Sequence, residues 1–470
     1  IRVDKINSLS GVGTVTLSPT GVDISGITTA ATLKATTGIV TTLTATTGIV
    51  TTLTTNTLTA NSTAKVGSGV TLSPDGDIFV TGVTTSTTVQ VGAAVTITES
   101  GIEASGIGIT CASINGNQIG GRRNLIINGA MTVAQRGTSH TGSNNYGAVD
   151  RFYVHRSVTN EPTQEQVNVA SGTTPYSLGF RKAYKITNGD QTIGNGKFLR
   201  YRYGIEAQDL ANSGWNYTST SSYITISFWL KSSVAQNFYI DLQTSDGTAQ
   251  NFAYETGSLT ADTWTKIVKT IPGNSNLTFD NDAGSGMFIN INAFMGTNYT
   301  DSGHTLDTWS AFASGNRIPD MTSTWYTTND ATWEITGVQL EVGSQATAFE
   351  HRNFGEELAL CQRYFWTAAH QTSSTQVPIF NSSQYNSTAS YGHLHFPTEM
   401  RDYPSLVQTT GTGYYIGYGN NSSTDVTSFN LVRIGYNCAE LQASTARGQG
   451  NSVFVRTNAQ GAKISFEAEF

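Results

Sequence analysis

The first 120 residues alternate β-branched and small polar residues in short runs that repeat along the chain. Residues 35–44 return unchanged at 45–54, and residues 11–19 return in modified form at 67–74. A ten-residue period matches neither the heptad nor the eleven-residue repeat of helical supercoils, and Thr, Val, Ile and Gly are poor helix formers. This self-similarity predicts a one-dimensional array of short strands and turns, and Pro19 with Gly21 predicts one of these turns.

The same segment has almost no large side chains. The chain contains 20 Tyr, 20 Phe and 7 Trp, yet Phe79 is the single aromatic residue before residue 121. Burying a large apolar side chain contributes about 1.5–3 kcal/mol, whereas ordering one residue costs about 1–2 kcal/mol. Residues 1–120 are therefore either a flexible Thr-rich linker or a stalk wound from several chains. The regular placement of Ile, Val and Leu favours the wound β-repeat stalk.

The pattern changes at Gly121, where aromatic residues and longer strands begin. Alternation of apolar and polar residues, bounded by Gly, Asn and Asp, is typical of strands with one buried face. Residues 121–352 are therefore predicted to form a β-sandwich. Its clearest strands are residues 223–230, 238–242, 264–269 and 333–340.

Residues 353–366 interrupt the β pattern and predict a short linker helix. Asn353 and Glu356 stand at capping-box spacing. An apolar stripe follows at spacings of four, three and four, and its members are Phe354, Leu358, Cys361 and Phe365. The helix either clamps several copies together on their common axis or packs on its own sandwich.

Residues 367–470 are predicted to form a second β domain, which we expect to be a β-sandwich tip. The last strand places Ile464, Phe466, Ala468 and Phe470 on one face. We therefore expect this terminal strand to be structural.

Charge and composition limit the partners. Charged residues make up 13% of the chain and the formal net charge is -7, so nucleic acid and anionic membranes are not expected to bind. No apolar run approaches the roughly 20 residues of a membrane span, and membrane insertion is not expected. Cys111, Cys361 and Cys438 form no CxxC pair, so we expect buried thiols and no metal site or cofactor. The sequence starts at Ile1 and not at Met, so we expect the numbering to begin inside a longer gene product or after trimming, which leaves open whether an anchoring module precedes it.

Enzyme motifs are not found in the sequence. Residues 411–417 lack the glycine spacing of a dinucleotide loop, and Lys197 is followed by Phe198 where a phosphate loop needs Ser or Thr. Residues 280–284 imitate a calcium loop but lack its later glutamate. We therefore expect no catalytic residues. A glycan depolymerase is the alternative, because its paired carboxylates assemble in space rather than in sequence.

Two clusters of tyrosine and asparagine in the last domain are candidate receptor-binding sites. Tyrosine rings pack against the apolar face of a sugar, and amide groups bond its hydroxyls. The alternative is that these tyrosines merely cover strands. The first cluster is Tyr414, Tyr415, Tyr418, Asn420 and Asn421, which we expect in a loop, and the second is Tyr385 and Tyr391.

Two weaker candidates lie elsewhere. Trp309, Trp325 and Tyr326 form either a sugar platform or part of the sandwich core. His393 and His395 share one face of a strand; they either hold a metal ion on a threefold axis or are ordinary surface histidines.

Five distinctive motifs stand in the predicted sandwich, at residues 124–131, 134–137, 149–153, 339–343 and 348–352. They resemble the jelly-roll module of tail fibres of tailed bacteriophages, with those of marine cyanobacterial phages nearest in character. The same architecture resembles carbohydrate-binding modules of glycoside hydrolases.

This resemblance implies a jelly-roll body, a homotrimer with an intertwined stalk, and a place in the virion after assembly in the host cytoplasm. The partners it implies are other tail or baseplate proteins at the amino-terminal end and a host-surface glycan, such as lipopolysaccharide, or an outer-membrane protein. The function expected is host attachment by the domain at 367–470 without catalysis. The alternatives are a structural connector or decoration fibre and a glycan depolymerase.

Overall fold

The computed structural model describes residues 5–7, 14–19, 21–25, 88–91, 95–98, 101–104, 123–142 and 146–470. The chain divides into two compact units, residues 1–107 and 108–470. The decapeptide repeats and Cys111 lie outside the described residues. Within these residues the structure is predominantly antiparallel β-sheet, which confirms the expected fold class at that level.

The described part of the first unit consists of two three-stranded antiparallel sheets. Ser18 pairs with Gly21 and Leu17 with Val22, so the chain reverses at Pro19 as the sequence predicts. The strands are β1 (Lys5–Asn7), β2 (Thr14–Ser18), β3 (Gly21–Ser25), β4 (Thr88–Val91), β5 (Val95–Thr98) and β6 (Gly101–Ala104).

Residues 123–352 form a sandwich of two six-stranded antiparallel sheets, here called the body. Its core lies between the sheets, where the Tyr201 and Trp333 rings stack with centroids 5.1 Å apart. The first sheet has the order β15-β12-β18-β10-β9-β7 and the second β17-β14-β13-β16-β11-β8. The strands are β7 (Ser139–Thr141), β8 (Tyr153–Ser157), β9 (Thr163–Asn168), β10 (Lys182–Thr187), β11 (Phe198–Glu206), β12 (Tyr223–Ser232), β13 (Asn237–Thr244), β14 (Gln250–Ser258), β15 (Thr265–Pro272), β16 (Ser285–Met295), β17 (Trp309–Ala311) and β18 (Thr332–Val342).

Helices are short in the described residues. They are α1 (Thr174–Ser177), α2 (Ala207–Ala211), α3 (Thr324–Thr327) and α4 (Phe354–Gln362). The Asn353 side chain accepts a hydrogen bond from the Glu356 amide at 2.9 Å, which confirms the predicted cap of α4.

The predicted apolar stripe of α4 is wrong in part. Phe354 is 60% exposed, and Phe365 already belongs to a strand. The helix is anchored instead by buried Cys361 and by Glu357, whose carboxylate accepts a hydrogen bond from the Asn128 amide of the body. These contacts support the alternative in which α4 packs on its own chain.

Residues 365–470 form the tip domain, which contains a three-stranded sheet, β19-β28-β22, and a seven-stranded sheet, β24-β23-β27-β20-β21-β26-β25. Ile464, Phe466 and Ala468 lie in its core as predicted, whereas Phe470 packs against Gly204 of the body. The strands are β19 (Phe365–His370), β20 (Pro378–Gln384), β21 (Ala389–His395), β22 (Ser405–Gln408), β23 (Tyr415–Gly419), β24 (Ser422–Val426), β25 (Phe429–Ile434), β26 (Cys438–Ser444), β27 (Ser452–Thr457) and β28 (Lys463–Glu467).

A buried ionic network joins the body to the tip domain. The Arg151 guanidinium pairs with Glu469, donates to the Gly204 carbonyl at 2.7 Å and lies 3.3 Å from the centre of the Tyr364 ring. Arg136 lies 3.1 Å from Glu467 and 3.4 Å from Glu469. These pairs fix the two domains to each other through directional contacts.

Candidate functional site

The outer face of the seven-stranded sheet holds a cleft of about 840 Å³. Strand alternation creates this face. On β27, Val453 and Val455 point into the core, and Phe454 between them is 53% exposed. The side chains of Ser383, Tyr391 and Glu440 reach the same face from neighbouring strands by the same alternation.

Strand register aligns the outward side chains in a row across the sheet. Phe454 pairs with Tyr418 on one side and with Asn381 on the other. Further along, Glu440 pairs with both His393 and Arg433. The two halves of the row are joined because β20 pairs with β21, where the inward-facing Ser382 and Gly392 are partners. With strands about 4.8 Å apart, six strands spread this row over roughly 24 Å.

One wall of the cleft is aromatic. The Tyr385 and Tyr391 rings pack edge to face, with centroids 5.5 Å apart and planes at 82°. Tyr385 is held at the β20–β21 turn, where its amide donates to the Ala389 carbonyl at 2.9 Å, and its side chain is 66% exposed. The structure therefore brings the second predicted cluster together, and Phe454 adds a third ring to the lining.

The opposite end of the cleft is charged. Glu440 pairs with the Arg433 guanidinium, and the His393 imidazole lies 3.5 Å from its other oxygen. Glu440 is the one carboxylate among the described residues that line the cleft. The cleft thus combines aromatic rings with hydrogen-bond donors and acceptors.

The first predicted cluster is not a loop. Tyr415–Gly419 and Ser422–Val426 pair as a hairpin, and Asn420 and Asn421 form its turn with φ of 47° and 54°. Two consecutive positive φ values are typical of a two-residue hairpin turn, for which Asn is well suited. Glycines 417 and 419 face inward, where a side chain would collide with neighbouring atoms.

The three tyrosines of this cluster point in different directions. Tyr415 is fully buried, its hydroxyl donates to the Lys463 carbonyl at 2.6 Å, and burial raises its pKa. The expectation that Tyr415 faces a receptor is therefore wrong, because alternation turns it into the core. Tyr414 is half-buried against the domain core. Tyr418 is 37% exposed and lies on the cleft face beside Phe454.

Sequence reasoning did not select Phe454 or Arg433. Phe454 stands between two valines, so alternation places its ring opposite to theirs. This alternation shows only that Phe454 faces away from the two valines, however. Which face is the outer one depends on the pairing of β27 with β20 and β23.

Burial decides between the alternatives for the remaining tryptophan, tyrosine and cysteine candidates. Trp325 and Tyr326 lie in the body core, which confirms the core alternative for them. Trp309 is half-buried and its indole donates to the Pro272 carbonyl at 2.8 Å. Cys361 and Cys438 are free thiols, the first buried as expected and the second only half-buried.

His393 and His395 share the outer face of β21 as predicted. No group of three or more His, Cys, Asp or Glu in the described ranges is placed to hold a metal ion. None of the described helices has the length and apolarity needed to cross a membrane.

Comparisons with known proteins give weak similarities. No family model and no curated protein matches the chain. Among solved structures, the enzymatically active domain of tailspike protein 4 from bacteriophage CBA120 is similar at 12% identity and a TM-score of 0.25. That match covers 47% of this chain but only 21% of the tailspike domain.

Two further solved structures are similar over about half of this chain. A CBM4 structure matches at 13% identity and a TM-score of 0.23, covering 46% of this chain and 97% of the module. A putative sugar-binding protein from Bacteroides thetaiotaomicron matches at 13% identity and a TM-score of 0.25, covering 47% of this chain and 99% of that protein. At these TM-scores the similarities carry no argument about function.

Proposed function

We propose that this chain attaches a bacteriophage to its host by binding a surface glycan in the outer-face cleft of the tip domain. The observation that carries the proposal is the ring set of exposed Tyr385 and Phe454 and half-buried Tyr391 beside a row of polar side chains. Ring faces pack against the apolar face of a pyranose, and Asn381, Ser383 and Arg433 supply hydrogen-bonding groups for its hydroxyls.

Adhesion without bond cleavage is the mode we propose. Glycosidases need two carboxyl groups about 5–9.5 Å apart. Glu440 is the one carboxylate in the described lining of the cleft, and it is held by Arg433. This arrangement supports binding rather than hydrolysis.

We further propose that the chain is a homotrimeric tail fibre whose residues 1–120 wind as an intertwined stalk. The support is compositional, because that segment lacks the large side chains that one chain needs to close a core. Three clefts per fibre raise the apparent affinity through effective concentration, so weak contacts at each cleft suffice for reversible attachment.

The cleft is tested by replacing Tyr391 or Phe454 with alanine. We expect each change to weaken binding of a glycan by about five- to tenfold, because one stacked ring is lost. The full chain is first screened on an array of bacterial surface polysaccharides, and affinities for the best ligand are then measured by calorimetry. Tyr223→Ala is the matched control, since Tyr223 is a similarly exposed tyrosine on the body. If both variants bind the glycan as tightly as the wild type does, the glycan-binding site lies elsewhere.

The fibre assignment is tested on the particle. We expect the full chain to sediment with the mass of three copies and, in excess, to block adsorption of the phage. A label on the tip domain should mark the free end of a tail appendage in electron micrographs. A monomer in dilute buffer would contradict the stalk, and a label buried between two virion proteins would favour the connector.

A further inference from the structure

Two arginines of β11, Arg200 and Arg202, lie on the outer face of the second body sheet, and Arg317 from the segment after β17 interacts with them electrostatically; none of the three forms an ion pair with an acid among the described residues. Arg200 on β11 is buried, and Arg202 and Arg317 are half-buried beside it. Among the described residues, no carboxylate oxygen lies within 4.0 Å of these guanidinium groups. Arg136, Arg151 and Arg363 at the domain junction, by contrast, each contact a carboxylate.

Several N–H groups of Arg200 and Arg202 have no hydrogen-bond acceptor among the described protein atoms. Arg200 Nη2 contacts His155 Nδ1 at 3.0 Å, but its Nε and Nη1 have no acceptor among the described protein atoms. Arg202 Nη1 contacts the same imidazole nitrogen at 3.5 Å, and its Nε is also without an acceptor. Buried donors without acceptors are destabilising, so an acceptor or a negative charge close to Arg202 would stabilise this cluster.

Asp241 interacts electrostatically with Arg200, but its carboxylate is already engaged in other hydrogen bonds. Asp241 accepts hydrogen bonds from the Asn290 and Asn292 amides, each at 2.8 Å. Burial lowers the pKa of Arg200 to about 9, an effect that Asp241 opposes and that Arg202 and Arg317 strengthen. Burial and the same arginines lower the pKa of His155 to about 3, so this imidazole is neutral at pH 7 and can accept from an arginine.

A pocket of about 200 Å³ opens beside this cluster. Arg202 and His155 form its polar side, and aromatic rings form the remainder. The Arg202 guanidinium lies flat on Phe288, 3.6 Å from the ring centre, which fixes the plane of its N–H groups. The aromatic lining consists of Tyr146, Tyr153, Phe288 and Phe470.

We propose that this body pocket binds an oxyanion, either a free inorganic anion or the carboxylate of an acidic sugar. The planar fork of Arg202 matches a carboxylate or phosphate, and the negative charge of a bound anion offsets the repulsion among Arg200, Arg202 and Arg317. The rings leave room for the apolar part of a sugar. This site is separate from the cleft of the tip domain, and its existence does not depend on the proposed attachment function.

The test is thermal unfolding of the full chain at constant ionic strength. Inorganic phosphate and D-glucuronate are titrated separately, with D-glucose as the neutral analogue. We expect a saturable rise in Tm with at least one anion and none with glucose. Tighter binding of phosphate identifies a free anion, and tighter binding of glucuronate identifies an acidic sugar.

Substitutions assign the effect to the pocket. Arg202→Gln should raise the apparent Kd at least tenfold, and Arg202→Lys, which keeps the charge and most of the stem, should have an intermediate effect. Arg181→Gln is the control, because Arg181 is an exposed arginine immediately before β10 that also stacks on a ring, that of Tyr176. No saturable shift with either anion up to 10 mM in the wild type overturns the proposal, whether or not the variants fold. Equal affinity in Arg202→Gln and the wild type also overturns it.

Discussion

Replacing Arg151 with alanine is expected to lower the free energy of unfolding by about 3–5 kcal/mol. Arg151 and its partner Glu469 are almost fully buried, with side-chain exposures of 1% and 3%. The substitution leaves a buried carboxylate without its main partner and removes the cation that lies on the Tyr364 ring. It also frees the Gly204 carbonyl, which accepts from Arg151 at 2.7 Å. Urea denaturation of the full chain, followed by tryptophan fluorescence, measures the change.

Arg181→Ala is the matched control for this experiment. Arg181 also stacks on a tyrosine, 3.9 Å from the Tyr176 ring centre, but it is exposed and pairs with no carboxylate in the described residues. We expect its loss to cost less than about 1 kcal/mol. If the Arg151 variant is no less stable than this control, the ionic network does not hold the two domains together.

Local signals were sufficient to predict strands, turns and the helix cap. The turn at Pro19 and the Asn353 cap each depend on residues no more than four positions apart, and both are present. The buried face of β28 also follows from alternation within one strand. Such features depend on backbone preferences that act within a few residues.

The domain junction could not be predicted, because its contacts are distant in sequence. Arg151 and Glu469 are separated by 318 positions. Arg136 and Arg151 belong to the motifs that resemble phage fibres, yet nothing in those motifs names their partners. The structure shows that Asp150 binds Gln135 and that Asn128 bridges Val133 and Asp150, so these motifs form a polar support beneath the tip domain.

The cleft was predictable only in part for the same reason. Tyr385 and Tyr391 are six positions apart on one hairpin, so a cluster was visible in the sequence. Phe454 and Arg433 join them only through the pairing of β27 with β20 and of β25 with β26. A register shift of one residue would turn every one of these side chains to the other face.

Tyr415→Ala is expected to lower the free energy of unfolding by about 3–5 kcal/mol, whereas Tyr418→Ala should cost less than about 1 kcal/mol. The two tyrosines are three positions apart on β23, but Tyr415 is fully buried and packs on Phe429 with ring centroids 4.8 Å apart. Its removal leaves a cavity and frees the Lys463 carbonyl, which accepts from its hydroxyl. Tyr418 loses mainly its contact with Arg456, 5.0 Å from its ring centre.

The same pair of variants separates a structural role from a binding role. Urea denaturation gives the stabilities, and calorimetry below the unfolding transition gives the affinity for the array ligand. Tyr415→Ala should retain its affinity wherever it is folded, because its ring does not reach the surface, while Tyr418→Ala should bind more weakly because its ring flanks the cleft. A Tyr415→Ala protein that is as stable as the wild type and has lost glycan binding would mean that this tyrosine contacts the ligand, as the sequence pattern alone had indicated.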